Sequence, residues 1–226
     1  MMQKNYIPQA YARIKVVEDL YAFLTTDFEP VANIVLFPRR LRGDFDALAE
    51  KMASSFNLQD QEIFIKYQER QTLVDFQETL DDQGLKQAMD IILQDMECLD
   101  SAGIKSHFRL LIGYSKDKTT HDFHVDGLLR DFDRYMTCYN NPVTEYIRND
   151  DVLKVQGHKA YYKPESPVYT FRPGDFWKAR VRNKRSNPIL KFWRLVTREY
   201  QKRAFVHRAP RSDHPRIMVV GDKKIT

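Results

Sequence analysis

From residue 107 onward the apolar residues stop recurring at helical spacing. They come instead in short runs, each ended by turn-forming residues. His107–Tyr114, Phe123–Asp126, Arg134–Tyr139, Thr144–Ile147, Val168–Phe171, Phe176–Val181, Ala204–His207 and Arg216–Val220 each read as a strand. Asn140-Asn141-Pro142 and Arg172-Pro-Gly-Asp175 read as turns between them. Many short strands at this spacing cannot bury their apolar faces as isolated hairpins. They predict two packed sheets, a β-sandwich or jelly roll.

The first hundred residues carry the other period. Phe45, Leu48, Ala49, Met52, Ala53 and Phe56 fall on one helical face behind a capping Asp44. Leu85, Ala88, Met89, Ile92, Met96 and Leu99 form a second stripe that Gly103 can end. Asn33–Pro38 reads as a short buried strand, and the polar stretch 60–80 is assigned to helix. The expected fold is therefore α+β. Residues 1–106 form a mainly helical N-terminal extension packed on the core, and 107–226 a jelly-roll core. A basic helical insertion sits near 182–203, where Leu190, Trp193, Leu195, Val196 and Tyr200 give a mixed apolar face.

Charge is unevenly divided. Residues 1–110 hold 12 Lys+Arg against 18 Asp+Glu, whereas 111–226 hold 24 against 13. Within 178–211 there are 12 basic residues and one acid, Glu199. Such a stripe either solvates a helix face or attracts anions, so an anionic substrate such as a nucleic acid or a protein tail is one expectation. The amino-terminal stretch lacks the apolar core of a secretory signal, and no run approaches the roughly 20 residues of a membrane helix. With only two cysteines, Cys98 and Cys138, the expectation is a cytoplasmic protein without a disulfide framework and without a membrane partner.

Chemistry concentrates at His124-Val-Asp126, with His207 and Arg216 downstream. Side chains two apart on a strand share a face, so His124 and Asp126 can reach one ion while Val125 points away. A neighbouring strand can add His207. Two imidazoles and a carboxylate suit Fe(II) and leave one face of the ion open, and no cysteine pair with zinc-finger spacing competes. His107, His121, His158 and His214 lack a comparable partner set and are read as structural or exposed. Arg130, Arg134 and Glu145 lie near the motif and could line its mouth.

The order His124-x-Asp126, then His207, then Arg216 resembles the Fe(II)/2-oxoglutarate-dependent dioxygenase superfamily. The resemblance covers about residues 105–222. His124 to Ile147, with His207–Pro210 and Arg216–Val220, also looks like a bacterial domain family of unknown function, which implies no activity. The first resemblance implies a double-stranded β-helix core and an oxygenase, a hydroxylase or demethylase of unidentified substrate, using Fe(II) and the cosubstrate 2-oxoglutarate. His124, Asp126 and His207 would hold the metal. Arg216 would pair with the distal carboxylate of 2-oxoglutarate, helped by Tyr139 or Tyr114; Arg208 and Arg211 compete with Arg216 for that role. The residues also allow a cupin-like metal domain without 2-oxoglutarate, or a non-catalytic binding module using the basic surface 178–211.

Overall fold

The computed structural model describes residues 6–28, 31–56, 62–112, 118–128, 132–180, 182–183 and 204–224. In chain order the elements begin with Ile14–Val16 (β1), Leu20–Thr25 (α1), Ile34–Phe37 (β2) and Phe45–Ser55 (α2). Glu62–Lys66 (β3), Gln71–Glu78 (α3), Gln83–Ser101 (α4) and Lys105–Leu111 (β4) follow. Next come Gly127–Leu128 (β5), Phe132–Cys138 (β6), Glu145–Tyr146 (β7), Val152–Gln156 (β8) and Lys159–Tyr162 (β9). Tyr169–Thr170 (β10), Phe176–Arg180 (β11), Arg182–Asn183 (β12), His207–Arg208 (β13) and Arg216–Lys224 (β14) complete the set.

A seven-stranded sheet in the order β1-β2-β11-β6-β14-β4-β3 faces a small sheet, β10-β7-β13. The chain passes back and forth between them: β6 lies in the large sheet, β7 and β10 in the small, β11 in the large, β13 in the small and β14 in the large. This is the double-stranded β-helix, or jelly roll, with α-helices on the outer face of the large sheet. Strand alternation sorts the core into two layers. On β14, Ile217 and Val219 pack against Leu48, Met52, Ile92 and Met96 of the helices. Met218 and Val220 point between the sheets, onto Trp177, Tyr146 and Phe205. β2 is buried on both faces, Val35 toward the helices and Ile34 and Leu36 toward the small sheet, hence its unbroken apolar run.

The helices start where short polar side chains can satisfy their free N–H groups. Asp44 Oδ1 accepts from the Ala47 amide at 2.9 Å, and Asp82 Oδ1 accepts from the Leu85 amide at 2.9 Å. The Arg172–Asp175 turn also forms, with Gly174 at φ +89° and its α-carbon packed against Leu41, where a side chain would collide.

Residues 1–106 supply the four α-helices found among the described residues and also β1, β2 and β3 of the large sheet. The assignment of 60–80 to helix is corrected in part. Glu62–Lys66 is an edge strand on β4, and only Gln71–Glu78 is α-helical. Edge pairing leaves Phe64 exposed, which hides the alternation expected of a half-buried strand. The basic helical insertion near 182–203 lies outside the described residues except for β12. No helix among the described residues is long and apolar enough to cross a membrane.

Candidate metal centre

His124 and His207 stand directly opposite each other. Each backbone N–H donates to the other's carbonyl, at 2.9 and 3.0 Å, in an isolated antiparallel bridge rather than within a long strand. Both imidazoles therefore leave the backbone on one face, with ring centroids 4.7 Å apart. Asp126, two residues after His124, returns to that face, while Val125 packs into a separate apolar cluster with Phe123 and Val206. The Asp126 Oδ1 atom lies 3.8 Å from His124 Nε2 and 3.8 Å from His207 Nε2. One donor atom from each of the three residues falls within 4.8 Å of the others. An ion bonding at about 2.1 Å with right-angle geometry separates adjacent donors by about 3 Å, so slight closure of these side chains suffices.

The tautomers suit ligation. His124 Nδ1 sits 2.8 Å from the Asp122 carbonyl and His207 Nδ1 sits 3.5 Å from the Phe205 carbonyl. A carbonyl only accepts, so Nδ1 carries the hydrogen and Nε2 turns its lone pair toward Asp126. Burial holds His207 well below the ordinary imidazole range, at about 4, with the nearby His124 and Arg134 adding to it and Asp126 opposing. It is thus neutral and able to donate to a metal at pH 7. Its ring stacks on Phe205 at 4.9 Å, which fixes its plane. Burial pushes the Asp126 carboxyl up, but His207, Arg134 and His124 together outweigh that and hold it below the usual range.

Arg216 opens β14 opposite Leu111 of β4 and points between the sheets. It is 7% exposed. Its Nη1 has no hydrogen-bond partner, and its Nη2 reaches only the Met218 sulfur at 3.7 Å. No carboxylate among the described residues pairs with it. Burial pulls its pKa below the ordinary value. The triad and Arg216 line one cavity of about 140 Å³, together with Arg134 and Met136. A buried guanidinium without a counter-charge is costly, and an anion entering the cavity would remove that cost.

The other expected site residues separate. Tyr139 is corrected: it follows β6 on the opposite parity from Arg134 and Met136, so it faces the helices. Its ring stacks on Phe45 at 5.2 Å and its hydroxyl donates to Asp95 at 2.6 Å. Tyr114 and Arg130 lie outside the described residues. Arg208 donates to Glu145 at 2.6 Å and is thereby occupied. Arg134 is not at the mouth as a free charge; it is bound to Asp126 and Asp222. Asp222 carries no local signal in the sequence, because only the β6–β14 register places it opposite Arg134.

No protein-family model matches the chain, and no curated protein does. Solved structures do. One is the Kdo hydroxylase KdoO, described as a non-heme Fe(II) alpha-ketoglutarate dependent dioxygenase in complex with cobalt(II). It is 9% identical over 94% of this chain and 89% of that one, with a TM-score of 0.45. The viral collagen prolyl hydroxylase of Paramecium Bursaria Chlorella virus-1 is 10% identical over 89% and 96%, with a TM-score of 0.41. The dioxygenase for auxin oxidation in rice is 10% identical over 84% and 72%, with a TM-score of 0.38. With its jelly-roll sheets and its converging His124, Asp126 and His207, this chain resembles the Fe(II)/2-oxoglutarate-dependent dioxygenase superfamily.

Proposed function

We propose that the protein is an Fe(II)- and 2-oxoglutarate-dependent oxygenase, a hydroxylase or demethylase. The observation that carries this reading is a shared cavity: a two-imidazole, one-carboxylate triad and an unpaired buried guanidinium open onto the same 140 Å³. His124 Nε2, His207 Nε2 and Asp126 Oδ1 would hold the iron, a donor set of nitrogen and oxygen without thiolate that suits Fe(II). Bound iron and 2-oxoglutarate would supply the oxidising chemistry, in which the cosubstrate loses carbon dioxide to give succinate while the substrate gains oxygen. Arg216 would bind the distal carboxylate through two parallel N–H donors. That contact replaces its missing counter-charge and orients the keto acid end toward the triad. Leu111, Met136 and Met218 form an apolar wall beside it. They keep bulk water from competing for the guanidinium, which strengthens the charge-assisted contact.

The test is anaerobic addition of Fe(II) and 2-oxoglutarate to metal-stripped protein, read by visible absorption. The expected result is a charge-transfer band that requires both additions and is absent in Asp126→Ala. A folded, iron-bound protein that shows no band with 2-oxoglutarate would refute the proposal and favour a cupin-like metal domain that does not use this cosubstrate.

A further inference from the structure

The two oxygens of Asp126 have different surroundings. Oδ1 faces the imidazoles, 3.8 Å from each Nε2. Oδ2 accepts a hydrogen bond from Arg134 Nη1 at 2.8 Å. Arg134 is held in turn: its Nε donates to Asp222 Oδ1 at 2.9 Å and its Nη2 to Asp222 Oδ2 at 3.1 Å. Arg134 on β6 and Asp222 on β14 are opposite residues in the ladder, so the fork–fork pair is part of the sheet itself. The guanidinium cannot swing away from Asp126 without breaking two bonds to Asp222. All three side chains are mostly buried, at 17 to 26% exposure, so solvent does not readily replace these contacts.

A cation beside a metal-binding carboxylate works against the ion by simple repulsion, so stronger metal binding through charge cannot be its role. What it does is occupy one oxygen. A carboxylate free to turn about its Cβ–Cγ bond can offer both oxygens and fill an extra coordination position. We propose that Arg134, locked by Asp222, is a positioning residue that fixes Asp126 as a single-oxygen ligand and so preserves a coordination position for a ligand from outside the protein. This rests on the metal reading given above. The clamp also explains how Asp126 is oriented without a long strand: His124 has only isolated bridges, to His207 of β13 and Lys159 of β9, and Asp126 is tied to the large sheet through Arg134.

Cobalt(II) titration of the metal-stripped full chain, followed by visible absorption, tests it. In Arg134→Gln the Co(II) affinity should rise severalfold, because the repelling charge is gone and Asp126 is free to chelate through both oxygens. At saturation its d–d bands should shift and weaken, the sign of a higher coordination number. Arg134→Lys keeps the charge without the fork and should restore part of both properties. Asp222→Asn leaves the Arg134–Asp126 contact but loosens the clamp, and should move both readouts the same way by less; it decides the matter if Arg134→Gln does not fold. A folded Arg134→Gln, or failing that Asp222→Asn, with wild-type affinity and wild-type bands overturns the inference alone. Wild-type protein that binds no Co(II), or an Asp126→Ala variant that binds it equally well, overturns the metal reading and this inference with it.

Discussion

Replacing Arg216 by methionine should make the ligand-free protein more stable and at the same time insensitive to 2-oxoglutarate. The guanidinium is 7% exposed, with Nη1 unpartnered and only a thioether near Nη2. Buried charge costs several kcal/mol per ion even after relaxation, and apolar replacement of buried charged groups often stabilises by about 1–4 kcal/mol. Methionine keeps an unbranched apolar stem, though a shorter one, and packs against Leu111 and Met218, so a gain on the order of 2 kcal/mol is expected. In a chain of 226 residues, each kcal/mol moves Tm by about 2–4 °C, which gives a rise of about 4–8 °C. Binding acts in the opposite direction on the difference. With Mn(II) as a redox-quiet ion, 2-oxoglutarate at about 100 times its Kd should stabilise wild type by about 2.7 kcal/mol and leave the variant unmoved. Scanning calorimetry with and without 2-oxoglutarate reads both effects. A ligand-free Arg216→Met protein that melts well below wild type would refute the reasoning, since it would mean the guanidinium has a structural partner. Equal 2-oxoglutarate shifts in the two proteins would refute its role as the carboxylate contact.

Asp95 of α4 is buried between Arg39, which grips it with both Nη atoms, and the Tyr139 hydroxyl. Asp95→Asn should cost about 3–5 kcal/mol, because Arg39 is left buried without its counter-charge, seen as a lower urea midpoint with metal affinity unchanged. His107 of β4 is held at about 4, by burial first and the neighbouring Arg109 second, against about 6.5 in an unfolded chain. Between those values the unfolded chain binds a proton that the folded one refuses, so stability is complete above pH 6.5 and falls as the pH drops toward 4. His107→Phe, which keeps the ring contact with Phe64 now at 4.3 Å, should show a smaller loss of urea midpoint between pH 7 and pH 4.5 than wild type. An identical loss would mean that other groups account for the acid sensitivity.

The sequence was most legible where local rules and tertiary packing agree. The α2 and α4 stripes, with Asp44 as a cap, were visible because a surface helix repeats its apolar face every three to four residues whatever it packs against. The β2 segment and most strands after residue 107 were visible because buried strands are short, apolar and bounded by turns. Residues 62–66 carry no strand signal in the sequence because an edge strand with an exposed Phe64 has no clean alternation. The face that Tyr139 takes is hidden for a related reason. One residue of register decides the face, and nothing near Tyr139 states whether odd or even positions of β6 point between the sheets.

For the site, the sequence by itself determined which chemistry was available. His124-x-Asp126 had to share a face by strand alternation, and His207 and Arg216 lay in apolar segments suited to neighbouring strands. Only the tertiary structure decided that these distant groups meet. It set His124 against His207 across a backbone bridge and turned both Nε2 atoms onto Asp126. It brought Arg216 into the same cavity with no carboxylate among the described residues paired to it. It also moved Arg134 from the expected mouth of the site to the Asp126–Asp222 clamp. The physical reason is range. Periodicity and capping act within a few residues, whereas the register of β6 on β14 and of His124 on His207 is set by burying two apolar layers at once, a property of the whole chain.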